Sequence, residues 1–232
     1  AVEKRQRLGV LGSLAGAVAH HDNNRLCSIA TSLDYASNLN TPSAMRRALQ
    51  RTADAVTRAA DITRQLLVFA QADHRAHDLA DVTEVVLQYF DEHEEQLAQR
   101  QVRLRLDWHR IPRTPVPREQ FSIVLDNLVQ NAIDAMPNGG TLAAVLAQRD
   151  ATHVALTLTD SGPGIPPGAL EHLFEPFFTT KGVLGSGGAR NAGMGLAVVH
   201  GFVAEMGGHV IAGNVPGAGA RFEVILPIAS EP

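Results

Sequence analysis

A single cysteine, Cys27, stands in the 232 residues. No disulfide can therefore form within the chain, and no cysteine-based metal site can be built. Cys27 sits among apolar residues at helical spacing and reads as a packing residue. Aromatic side chains are scarce at 5 %, so the core must be aliphatic. No apolar run approaches the roughly 18–20 residues that span a bilayer, and no signal peptide opens the chain. Positive charge is not in excess either. Twenty Lys and Arg stand against 24 Asp and Glu, a net charge of −4, which gives no ground for expecting nucleic acid as a partner. What remains is ordinary for a globular protein: 45 % hydrophobic and 19 % charged residues. The chain begins inside a helical pattern, so it reads as an excised fragment.

Residues 3–37 carry Leu11, Leu14, Ala15, Val18, Leu26, Ile29 and Leu33 at three- and four-residue steps, the mark of an amphipathic helix. A turn follows at residues 38–43, with Pro42 suited to open a second helix over 43–71. Two helices cannot enclose a core alone, so the expected hairpin (residues 1–75) should dimerise into a four-helix bundle. Residues 72–81, polar and His-rich, read as a linker. From Val82 the pattern is mixed: helices over 82–99, 118–136 and 193–206, and strands over 102–106, 142–147, 154–158, 210–213 and 221–226. This predicts an α/β sandwich over residues 76–232, with helices on one face of a mixed sheet.

Three elements carry chemistry. Asn127 and Asn131 lie one turn apart on a helix that is otherwise apolar. Two neutral amide oxygens there suit Mg²⁺ whose remaining ligands are phosphate and water, although buried structural amides would give the same spacing. Asp160-Ser161-Gly162-Pro163-Gly164 directly follows a strand. Its glycines let backbone approach a flat ligand, and its aspartate can accept a hydrogen bond from an adenine amine. Residues 179–192 lack a secondary-structure signal, are glycine-rich in the middle, and read as a lid. They lead into Gly193-Met194-Gly195-Leu196, a glycine-rich helix start that favours phosphate. Lys181 and Arg190 add positive charge.

In this order, the elements resemble the ATP-binding domain of the sensor histidine kinases, a branch of the Bergerat-fold ATPases. Leu173-Phe174-Glu175-Pro176-Phe177-Phe178-Thr179-Thr180-Lys181 is similar to that family's phenylalanine box. Gly217-Ala218-Gly219-Ala220-Arg221-Phe222 is similar to its last glycine box, with Ala220 where Thr or Ser is common. The resemblance implies that Asn131, helped by Asn127, holds Mg²⁺ and that Asp160 binds the adenine amine of ATP. It further implies that Gly162, Gly164, Gly193, Gly195 and Leu196 shape the nucleotide site, with Lys181 a weaker phosphate contact. Hydrolytic relatives carry a glutamate base at the position of Asn127. Asparagine cannot take a proton, which suits transfer to a histidine over attack by water.

The acceptor is expected on the hairpin. Leu14-Ala15-Gly16-Ala17-Val18-Ala19-His20-His21-Asp22-Asn23-Asn24 resembles the family's phospho-acceptor box. His20 has Asn23 and Asn24 one turn on, lies off the apolar stripe, and offers a neutral imidazole nitrogen as nucleophile. The family's acid immediately after the histidine is replaced by His21, with Asp22 one step later. Three readings stand open: His20 as acceptor with His21 as base, His21 as acceptor with Asp22, or a weakened site in a domain that still binds ATP. The resemblance implies a homodimer through the hairpin and a response-regulator receiver domain as partner. It also implies a cytoplasmic setting, alone or as the cytoplasmic part of a membrane-anchored receptor, without membrane contact by this fragment. The competing functions are a degenerate scaffold or phosphorelay module, and a plain ATPase.

Overall fold

A computed structural model describes residues 78–176, 178–180 and 193–229, with residues 30, 31, 34, 35, 38, 41–53, 55 and 56 of the N-terminal part. Two compact units emerge: Ala1–Ala72 with Arg190–Ala192, and Asp73–Ala189 with Gly193–Pro232. No helix among the described residues is long and apolar enough to cross a membrane.

In the first unit, residues 30, 31, 34, 35 and 38 are helical, as are 42–53, 55 and 56. The expected turn is therefore shorter than residues 38–43. Thr41 caps the second stretch, its Oγ1 accepting the Ala44 N–H at 3.3 Å. Pro42 takes the first helical position, where its missing N–H costs nothing. Ala44, Ala48 and Ala55 are buried, whereas Tyr35, Met45, Leu49 and Val56 are at least half exposed. His20, His21, Asn24 and Cys27 lie outside the described residues.

The second unit opens with β1 (Leu79–Asp81) and α1 (Val82–Gln99), followed by β2 (Val102–Trp108) and β3 (Pro115–Pro117). Then come α2 (Arg118–Ala135), β4 (Gly140–Gln148), β5 (His153–Asp160), α3 (Gly195–Glu205), β6 (His209–Asn214) and β7 (Ala220–Pro227). The expected linker is corrected at its end: Leu79–Asp81 pairs antiparallel with Pro115–Pro117 as a two-stranded ribbon. Its polar sequence hid this, and the prolines of β3 are tolerated because the ribbon is all edge. Asp81 then caps α1, Oδ1 accepting from Thr83 N–H and Oδ2 from Thr114 N–H.

The main sheet runs β2-β4-β5-β7-β6, parallel between β2 and β4 and antiparallel elsewhere. Cross-strand registers place Leu106, Ala144, Leu158, Phe222 and Ala212 in one row and Leu146, Leu156, Val224 and Val210 in another. The side chains of these rows face the helices, which return Phe90 from α1, Phe121 and Leu125 from α2, and Phe202 from α3, all fully buried. Each such side chain contributes about 1.5–3 kcal/mol on burial. The opposite face carries Arg103, Arg105, Thr157, Thr159, Arg221 and Glu223 toward solvent, with Glu223 bonded to Arg149 at 2.8 Å and to Arg221 at 3.0 Å. Alternation along β5 decides the site: Asp160 shares the face of Leu156 and Leu158, so a carboxylate enters the sheet–helix layer at its edge.

Candidate nucleotide site

Asp160 is only 5 % exposed. Its Oδ1 accepts the N–H of Gly162 at 2.8 Å and of Ala220 at 3.2 Å, and its carbonyl accepts the Gly219 N–H at 2.8 Å. Oδ2 has no partner among the described residues. Burial raises the carboxyl above its ordinary pKa, against the lowering effect of the two N–H donors. A buried carboxylate with one oxygen anchored and the other open is costly unless something supplies a donor.

The glycine turn is pinned from three sides. Ser161 Oγ accepts the Thr141 N–H at 2.9 Å, at the start of β4, and lies 3.4 Å from Met136 Sδ beside the end of α2. A Cβ on Gly162 would lie 2.9 Å from the Ala135 carbonyl oxygen, so this backbone packs directly on the end of α2. Gly164 has φ +79°, a conformation that side chains resist. Beyond it, the Asn214 amide grips Ile165: Oδ1 accepts its N–H at 2.7 Å and Nδ2 donates to its carbonyl at 2.8 Å. From β7's side, a Cβ on Gly219 would fall 2.1 Å from Asp160 Oδ1.

Asn127 and Asn131 stand on α2, two turns and one turn respectively before the end that Gly162 touches. Asn127 is buried, and its Nδ2 donates to the Ile123 carbonyl at 2.8 Å. Asn131 is half-buried. Gly193, with φ +74°, and buried Met194 lead into α3, which packs on α2. Gly195 and Leu196 then form its first turn, where backbone N–H groups have no intrahelical acceptor.

Residues 117–230 match the family model described as histidine kinase-, DNA gyrase B-, and HSP90-like ATPase. This region is a histidine kinase-type ATPase domain. The chain is 34 % identical over 244 aligned residues to sensor kinase CckA of Brucella abortus (strain 2308), covering 96 % of this chain and 25 % of that one. It is 29 % identical to sensor histidine kinase ZraS of Salmonella typhimurium, covering 98 % and 48 %. The chain thus spans a quarter to about half the length of these relatives, and it has the make-up of a histidine kinase catalytic core. Its fold is similar to histidine kinase ThkA in complex with response regulator protein TrrA, at a TM-score of 0.73 and 23 % identity, over 97 % of this chain and 64 % of that one.

Within the ATPase domain, Asp160, Gly162 and Gly164 are brought together with Ala135, Asn214, Gly219 and Ala220. Lys181 lies outside the described residues, as does Phe177 of the phenylalanine box. Phe174 of that box reaches α3, its ring centroid 5.6 Å from that of His200. Sequence reasoning missed Ser161 and Asn214 as site-builders. Ser161 sits inside the quoted motif, and that position was its available signal; Asn214 lies three residues before Gly217, outside the quoted box, and carries no local signal. Asn127 and Asn131 place two neutral amide groups one turn apart on α2, a donor type compatible with Mg²⁺.

Proposed function

We propose that this chain is an ATP:protein-histidine phosphotransferase, a two-component sensor histidine kinase core. The observation that carries the reading is Asp160: buried, anchored through Oδ1, and open through Oδ2 at a glycine turn. That oxygen is placed to accept from the exocyclic amine of adenine. Gly162 and Gly164 let the base approach, and the first turn of α3 at Gly195 and Leu196 offers N–H groups and dipole to phosphate. Asn131, with Asn127, holds Mg²⁺, which neutralises charge on the phosphates when bound. Lys181 adds a phosphate contact.

Asn127 supports transfer over hydrolysis, because its amide donates to Ile123 and cannot deprotonate water. The acceptor is His20. A neutral imidazole nitrogen forms the new N–P bond while the γ-phosphorus bond to the bridging oxygen breaks and ADP leaves. His21 takes the place of the orienting acid, and Asn24 lies one turn away. The phosphoryl group then passes to an aspartate of a response-regulator receiver domain, a partner class that the ThkA complex supports. The exposed Tyr35, Met45, Leu49 and Val56 support a homodimer through the helical segment; a cytoplasmic setting belongs to the same reading.

Phosphate incorporation from γ-labelled ATP with Mg²⁺ tests this. Acid-labile label in the parent chain that disappears in His20→Ala and persists in His21→Ala supports the kinase and its acceptor. Loss only in His21→Ala moves the acceptor by one residue. No label, with ATP still bound, replaces the kinase by a degenerate or relay module.

A further inference from the structure

We propose that Asn214 is the positioning residue that gives this site its preference for adenine, by clasping a closed ring that presents Asp160. The ring runs covalently from Asp160 through Gly164 to Ile165. Ile165 is bonded on both its backbone groups to the Asn214 amide, at 2.7 and 2.8 Å. Asn214 is the strand partner of Ala220, and the Ala220 N–H returns to Asp160 Oδ1.

Three features distinguish this clasp from an ordinary surface amide. Asn214 is solvent-exposed and adds nothing to the core, yet both ends of its amide are used on one residue. It performs for Ile165 what a neighbouring strand would, at the place where the chain leaves the sheet after β5. Its Oδ1 also lies 2.7 Å from where a Gly164 Cβ would stand, so clasp and left-handed turn are fitted to each other. Without Asn214, residues 161–165 keep the Ser161 contacts and the Gly162 bond to Asp160 but lose their outer anchor. The turn beside Oδ2 then loosens, and with it the discrimination between adenine, which presents an amine there, and guanine, which presents a carbonyl that a carboxylate repels.

The inference rests on Asp160 as the base acceptor, and the experiment separates the two. Dissociation constants for Mg²⁺-ATP and Mg²⁺-GTP are measured on the full chain and its variants, with amide hydrogen exchange at Ile165 in nucleotide-free protein. Asn214→Ala should weaken ATP about tenfold, narrow the ATP-over-GTP preference, and speed exchange at Ile165. Asn214→Asp keeps the acceptor for the Ile165 N–H and loses the donor, so it should fall between parent and Ala. Gly164→Ala should cost less in the Asn214→Ala background than in the parent, because the clash with Oδ1 is gone. Parent-like affinity and base preference in Asn214→Ala, or strictly additive effects with Gly164→Ala, overturn the proposal. An equal loss for ATP and GTP also overturns it, leaving Asn214 a structural clamp only. If Asp160→Asn retains ATP affinity and base preference, the reading of Asp160 fails instead.

Discussion

Replacing Asp160 by asparagine changes one atom of the site and should separate binding from stability. Oδ1 accepts two backbone N–H groups, so the amide nitrogen of Asn cannot occupy that place without facing two donors. It must take the position of Oδ2 and point into the pocket. There it meets the adenine amine donor to donor. The variant loses a charge-assisted bond of about 1.5–3 kcal/mol and leaves a donor unsatisfied at about 1–3 kcal/mol. Together these amount to roughly two to four powers of ten in affinity. Stability should move the other way. The carboxyl has a higher pKa folded than unfolded because it is buried, so the folded state holds the proton more tightly. That contribution is full below the unfolded pKa and is lost as pH rises through the folded value. At neutral pH the ionised group therefore costs stability, and a neutral isostere removes the cost. Titration with a fluorescent ATP analogue, competed by unlabelled ATP, gives the affinity, and thermal unfolding gives the stability. Undiminished affinity refutes the adenine assignment. Lost affinity with a collapsed melting temperature refutes the claim that the carboxylate is kept for binding at the expense of stability.

The same carboxyl sets a pH dependence: ATP affinity should fall on acidification through a pKa above the ordinary carboxylate value, and Asp160→Asn should flatten the profile of binding against pH. Gly219→Ala would bring a methyl against Asp160 Oδ1 and the Gly162 N–H. It should destabilise the domain by about 1–3 kcal/mol, read as a lower midpoint in urea, and abolish nucleotide binding. Asn131→Ala should weaken Mg²⁺-ATP while leaving metal-free ATP nearly unchanged, as calorimetry with and without a chelator would show; equal losses in both would remove it from the metal site. Phe121→Ala, at a fully buried position on α2, should cost about 3–5 kcal/mol, visible in thermal unfolding.

The fold was legible where hydrophobic period and punctuation agreed. Val82–Gln99 is amphipathic from end to end and formed with those bounds. β4 and β5 alternate, and the hairpin of β6 and β7 is marked by Pro216, Gly217 and Gly219. Leu79–Asp81 was not legible. Its three residues, one of them polar, are too few to show a period, and its partner, Pro115–Pro117, has a sequence that argues against any interior strand. Only a ribbon with no interior accommodates it, and no local pattern announces such a ribbon. The strand bounds were also too short by one or two residues, because the ends of β4 and β5 are fixed by cross-strand pairing and not by their own side chains.

The site divides along the same line. Asp160, Gly162 and Gly164 are close in sequence, so their spacing alone predicted a turn that backbone or ligand could approach. What makes that turn a site is not close in sequence. The Ala220 N–H reaches Asp160 across 60 positions, and the Asn214 amide reaches Ile165 across 49. An asparagine at the end of a strand is as much a hairpin residue as a clasp, and nothing local distinguishes the two. The register of β6 on β7 settles it, since pairing Asn214 with Ala220 carries one residue to Ile165 and the other to Asp160. A one-residue slip would turn Asn214 to the opposite face and open the ring while leaving every residue of the glycine motif in place. The motif therefore records where a nucleotide site can form, and the sheet register determines whether it does.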